Sequence, residues 1–158
     1  KPLIVFTPKR MLHHSSAFSS LEELSKGDFQ EVIAGPAADE VQQILLCSGQ
    51  LAAELEVEQK KRQAPMVIVR LEQLYPFPQD TLERVIASYP HVAGLTWVQE
   101  EPENMGAWRW LRPQLEAMLE GEMIRCVARP ERVSPATGSS AIHQREQQEL
   151  LERAFLIA

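Results

Sequence analysis

From Gln43 to Leu156, short apolar runs alternate with longer segments of helical spacing. This alternation restricts the chain to few architectures. Ile44-Leu45-Leu46-Cys47, Met66 to Leu71, Leu95 to Val98 and Met123 to Val127 read as buried strands: short, rich in branched apolar residues and bounded by turn residues. Between them the spacing predicts helices from about Leu51 to Lys61, from Asp80 or Thr81 to about Ser88, after Gly106, and from His143 to about Leu156 behind Ser140. Leu82, Val85, Ile86 and Tyr89 fall on one helical stripe, and Trp108, Leu111, Leu115, Met118 and Leu119 on another. The expected fold is α/β, with three layers: a mostly parallel sheet of about five strands carrying helices on both faces. Leu3-Ile4-Val5-Phe6 supplies a first strand, stopped by Pro8. Ser19 or Ser20 caps a short helix with Glu22 and Glu23 in its first turn and Gly27 at its end, and Asp28 to Ile33 offers a short edge strand.

The 158 residues suffice for one domain with a full core. A net charge of −6 and a pI near 5.3 argue against a nucleic-acid-binding face, which needs a basic surface. No apolar run approaches the roughly 20 residues of a membrane span. Cys47 and Cys126 sit within apolar runs and read as buried thiols rather than a disulfide or metal pair, which points to a cytosol-like compartment. The chain opens at Lys1 directly in an apolar run and reads as a piece of a longer polypeptide or a processed product.

Three places are candidates for function. The first is the polar stretch Gln99-Glu100-Glu101-Pro102-Glu103-Asn104-Met105-Gly106, between a strand and a helix. In an open α/β sheet the carboxyl ends of the strands are where ligands and partners are met. Glu100 and Glu101 are placed to cap the next helix, the plainer alternative to a ligand role. The second is Ser48-Gly49 before a helix, which leaves backbone N–H groups free for an anion or is simply a connection. The third is a set of cations, Lys9, Arg10, Lys60, Lys61 and Arg62, which would form a phosphate-binding pocket if their turns adjoin and is otherwise a solvated charge run. His143 near the start of the last helix could reach a ligand held by Ser139, Ser140 and Arg129, or be a surface histidine. No His/Cys metal spacing, Gly-x-Ser-x-Gly elbow, Gly-x-Gly-x-x-Gly or Gly-x-x-x-x-Gly-Lys-Ser/Thr loop is present, so no catalytic residue, metal ligand or cofactor site is assigned within this chain.

Several motifs stand in one order along nearly the whole chain: Leu3-Ile4-Val5-Phe6-Thr7-Pro8-Lys9, Ser48-Gly49, Val69-Arg70-Leu71-Glu72-Gln73-Leu74-Tyr75-Pro76-Phe77-Pro78, Trp97-Val98-Gln99-Glu100-Glu101-Pro102, Asn104, Gly106-Ala107-Trp108, and Ser134 to Ser139 with His143 and Gln147-Gln148. Together they resemble the C-terminal domain of the decarboxylating first component of the 2-oxoglutarate dehydrogenase complex, similar to the transketolase C-terminal domain. The resemblance implies residues 1–158 as a single domain ending a longer multidomain enzyme of the tricarboxylic acid cycle. That parent binds thiamine diphosphate and Mg²⁺ in earlier domains, forms a homodimer and succinylates a lipoyl group on its partner, the dihydrolipoyl succinyltransferase second component. It implies a bacterial cytoplasmic or eukaryotic mitochondrial-matrix location, and an inactive fragment when alone. The related 2-oxoadipate dehydrogenase shares most of these motifs. By resemblance, Gln99, Glu100, Glu101, Asn104, Trp108 and His143 would lie at the interface or active-site entrance. Thr7, Lys9, Arg10, Ser48, Gly49, Lys60 and Arg62 would be candidates for an acetyl-CoA or nucleotide effector. The chain departs from the family there: Gln50-Leu51-Ala52-Ala53 replaces a Lys followed by aromatics, Arg10 replaces a Ser, and His13 an Arg.

Overall fold

The computed structural model describes residues 2, 4–5, 8–13, 18–35, 41–121 and 123–156, with the backbone alone at 10 and 13. The chain divides into two compact units, 1–30 and 31–158. The first holds a 3-10 turn, Lys9–His13, and a six-residue helix, α1, Leu21–Lys26. Ser20 caps α1 through a reciprocal pair: its Oγ accepts from the Glu23 N–H at 3.1 Å, and the Glu23 carboxylate accepts from the Ser20 N–H at 2.6 Å. These bonds hold the Glu23 carboxyl below its usual range. Gly27 closes the helix, where a Cβ would stand 2.4 Å from the Glu23 carbonyl oxygen. The strand expected over residues 3–6 is not formed at Ile4 and Val5, which are exposed and outside any strand; Leu3 and Phe6 lie outside the described residues.

That unit runs β1 (Val32–Ala34), β2 (Gln43–Cys47), α2 (Leu51–Arg62), β3 (Met66–Leu71), α3 (Gln79–Ala87), β4 (Gly94–Pro102), α4 (Trp108–Met118), β5 (Arg125–Arg129) and α5 (Ser140–Ala154). The strands form one sheet in the order β1-β3-β2-β4-β5, with β1 antiparallel to β3 and the other pairs parallel. All five residues of β2 are buried, because a central parallel strand is covered on both faces; this is why it reads as an unbroken apolar run. Successive side chains alternate between two cores. Ile44, Leu46, Val67 and Val69 pack with Leu82 of α3 and Leu111 and Leu115 of α4. Leu45, Cys47, Ile68 and Val98 pack with Leu51 and Leu55 of α2 and Leu150 and Leu151 of α5. The three-layer α/β expectation is met. Cys47 and Cys126 serve opposite cores, and burial pushes both thiols up to about 12. Among the described residues no helix is long and apolar enough to cross a membrane.

Several boundaries differ from expectation: β1 is Val32–Ala34 rather than 28–33, β5 is Arg125–Arg129 rather than 123–127, and two further shifts bear on the site. β4 continues through Pro102, so Gln99, Glu100 and Glu101 are strand residues and the turn begins after them. α5 starts at Ser140, three residues before His143, behind Ser139. The connection leaving β2 through α2 runs to β3 on one side, and that leaving β4 through α4 runs to β5 on the other. The carboxyl ends of β2 and β4 therefore flank the topological switch point, where open α/β sheets leave a crevice.

Candidate functional site at the carboxyl edge of the sheet

One side chain organises the β4–α4 turn. Gln99 is only 3% exposed. Its Oε1 accepts from the Trp97 indole N–H at 2.9 Å and from the Trp108 backbone N–H, at the start of α4, at 3.1 Å. Its Nε2 donates to the carbonyls of Pro102 at 3.0 Å and Met105 at 2.8 Å. Thus Gln99, not Glu100 or Glu101, meets the free N–H groups of the helix. A neutral amide can do this inside the core, where an ionised carboxylate would be costly to desolvate. Gly106 is required beside it: its φ is +68°, and a Cβ there would come within 3.0 Å of Gln99 Oε1. Asn104 braces the turn, donating to the Arg132 carbonyl at 2.8 Å and accepting from the Arg132 N–H at 3.1 Å.

A second polar assembly crosses the switch point. Arg129, the last residue of β5, is buried. Its Nη2 lies 3.1 Å from His143 Nδ1 and donates to Gln147 Oε1 at 2.9 Å, both on α5. Gln147 Nε2 then donates to Glu54 of α2 at 2.7 Å and Glu100 of β4 at 3.3 Å. Gln50, just before α2, donates to the other Glu100 oxygen at 2.8 Å. Glu146 is buried beside this chain and is held by both guanidinium nitrogens of Arg132, with Arg129 Nε at 3.8 Å. The Arg132 hydrogen bond, with the charges of Arg132 and Arg129, draws the Glu146 carboxyl below its usual range. The arrangement crosslinks four elements. It offers hydrogen-bonding and charged groups but no nucleophile held against a base.

The sequence left His143 either reaching a ligand held with Arg129 or on the surface; the structure sets it directly against Arg129. Glu54, Arg132 and Glu146 and the bridging role of Gln147 were missed. A signal existed: His143, Glu146 and Gln147 occupy the same helical stripe as Leu150, Leu151 and Ala154, and polar residues on a buried stripe demand polar partners. Lys60 and Arg62 do not assemble around Ser48 and Gly49. Those residues precede α2, whereas Lys60 and Arg62 lie at its far end, roughly 15 Å along the axis. Gly49 takes φ +64° in an exposed turn, and Gln50, which follows it, donates to the Glu100 carboxylate. Arg62 is engaged by Glu58 at 3.0 Å and lies 5.2 Å above the Phe155 ring. Lys60 stands on the rim of a cavity of about 530 Å³ floored by Val41, Met66, Val67 and Ile68. Lys9 and Arg10 belong to the first unit, and Thr7 lies outside the described residues. Of the proposed interface residues, Gln99 and Trp108 are interior, the latter 6% exposed and packed in its own core, whereas Glu101 is exposed.

Residues 18–155 match the family model described as 2-oxoglutarate dehydrogenase C-terminal. A 2-oxoglutarate dehydrogenase E1 component from Geobacillus sp. (strain WCH70) is 37% identical over 98% of the chain, and one from Cupriavidus necator is 38% identical over 98%. A 2-oxoadipate dehydrogenase complex component E1 from Xenopus laevis is 40% identical over 95%. The chain spans 17% of the length of each of these relatives. A match that extends from before α1 to the end of α5, across the Gln99 turn and the Arg129 assembly alike, places the chain in the 2-oxoglutarate dehydrogenase C-terminal family.

Proposed function

We propose that this chain is the C-terminal domain of a thiamine diphosphate-dependent 2-oxoacid dehydrogenase, acting on 2-oxoglutarate, and that its part in the parent is assembly and positioning. The observation that carries the reading is the pairing of near-complete coverage of this chain with 17% coverage of relatives named as E1 components. The parent would decarboxylate the 2-oxoacid and pass the succinyl group to a lipoyl group of the second component, as a homodimer. The residues present do not fit the cofactor. The residue after the Ser48-Gly49 turn is the neutral Gln50, engaged with the Glu100 carboxylate, and among the described residues no three His, Cys, Asp or Glu side chains gather to hold a metal ion. In this reading thiamine diphosphate and Mg²⁺ belong to parts of the parent outside these 158 residues. What this chain contributes is a carboxyl edge whose strands and helices are fastened to one another, a rigid support for groups supplied from elsewhere.

A 2-oxoadipate-specific parent is the second reading, favoured by relatives of that name at 37% and 40% identity. The test is ferricyanide-coupled oxidation of both 2-oxoacids by the full-length enzyme and by the 158-residue chain. The expected outcome is turnover by the full-length enzyme with kcat/KM higher for 2-oxoglutarate, and none by the short chain. Preference for 2-oxoadipate selects the second reading; inactivity of the full-length enzyme on every 2-oxoacid rejects both.

A further inference from the structure

We propose that His143 is a proton-operated latch that fastens the first turn of α5 to the sheet. A guanidinium carries only N–H donors, so its 3.1 Å contact with His143 Nδ1 requires a lone pair on that nitrogen. The latched ring is therefore neutral, with its proton on Nε2. A proton on Nδ1 removes the acceptor and sets a third positive charge against Arg129 of β5 and Arg132 of the β5–α5 connection. Among the described residues, the carboxylates joined to this assembly are Glu146 on α5, Glu54 on α2 and Glu100 on β4. Each accepts hydrogen bonds from another group: Glu146 from Arg132, Glu54 from Gln147, and Glu100 from Gln147 and Gln50.

The first turn of α5 has little else to hold it. Ser139 makes no side-chain cap bond, and the His143 N–H bonds back to the Ser139 carbonyl at 3.0 Å, within the same segment. Unlatching also reaches the switch point, because the same Arg129 nitrogen holds Gln147, which bridges α2 and β4. Among side chains it is the free imidazole whose charge changes between about pH 5 and 8, which sets the pH pair for the test. The inference rests on the geometry of this chain and not on the identity of the parent's substrate.

Hydrogen–deuterium exchange, read by mass spectrometry on the natural polypeptide that carries these residues, tests it at about pH 7.5 and about pH 5.5. After correction for intrinsic exchange, protection of the amides in 140–147 should fall about tenfold on acidification, the scale of one charge-assisted hydrogen bond. Protection in 79–87 should not change and reports that the fold is intact. His143→Asn keeps an acceptor near the Nδ1 position and cannot titrate, so its 140–147 protection should be equal at the two pH values. His143→Gln, which puts its amide at the Nε2 position instead, should be poorly protected at both. Equal protection of the wild-type segment at both pH values, or a fall that persists in His143→Asn, overturns the latch.

Discussion

The two assemblies at the carboxyl edge solve the same problem, a polar group inside an apolar core, by opposite means. Gln99 reaches partners no more than nine residues away, all within the strand, turn and helix start that contain it. Arg129 and the residues it engages reach across separations of 14 to 93 residues and four elements. The first assembly closes as soon as one strand–turn–helix segment forms; the second closes only when the sheet and both helices of one layer have packed. One uses a neutral amide with both its ends satisfied. The other uses charge, and leaves the Arg129 Nε without a hydrogen bond. A locally closed, neutral device should be the more costly to break and indifferent to pH. A long-range charged one should cost less and respond to acid.

The largest effect is expected at Gln99. Truncation in Gln99→Ala removes the partner of the Trp108 N–H, the Trp97 indole N–H and the Met105 carbonyl, and one of the two donors to the Pro102 carbonyl. The cost should be about 3–5 kcal/mol, that of several buried polar groups left unpaired. The urea midpoint of the 158-residue chain measures it. A loss under about 1 kcal/mol would mean the turn is held by packing alone and would erase the contrast with Arg129.

Arg129→Met comes next, at about 2–3 kcal/mol. Removing one member of a buried charged assembly strands its partners, here Gln147, His143 and Glu146. The figure stays below that for Gln99 because Met returns apolar packing and removes a guanidinium whose burial was incompletely compensated. If the loss measured by the same unfolding experiment exceeds that of Gln99→Ala, the long-range assembly is the principal tie and the ranking reverses.

The same distinction explains what could be read from the sequence. β2, β3 and the core of β4 were legible because central strands covered on both faces are contiguous apolar runs, and the α1 cap because Ser20 and Glu23 are three residues apart. The far end of β4 was not: Gln99-Glu100-Glu101-Pro102 is as polar as any turn, and only pairing with β5, with Pro102 opposite Arg129, makes it strand. Ile4 and Val5 failed the other way: an apolar run becomes a strand only where a neighbour offers backbone groups, and both are exposed and outside any strand. At the site, Arg129 and His143 were associated by their closeness in sequence. Glu54 and Glu100 could not be joined through Gln147, because no spacing rule links residues 47 and 93 positions apart.

The smallest effect, and the one that isolates charge, is Glu146→Gln. The Arg132 hydrogen bond and the neighbouring guanidiniums lower the Glu146 carboxyl in the folded chain relative to the unfolded one. A lowered folded value means that the stabilisation is present above the unfolded value and disappears as pH falls through the folded one. Glu146→Gln should therefore cost about 1 kcal/mol near pH 7, since glutamine keeps an acceptor for Arg132 but loses the charge, and progressively less at a second, acidic pH, as the wild-type carboxyl protonates through its lowered folded value. The cost of Gln99→Ala, which involves no titrating group, should be the same at both pH values as long as the chain remains folded. Urea unfolding of the two variants at both pH values compares them directly. If the Glu146→Gln cost persists in acid, Glu146 contributes shape rather than charge, and the contrast between a neutral local device and a charged long-range one is lost.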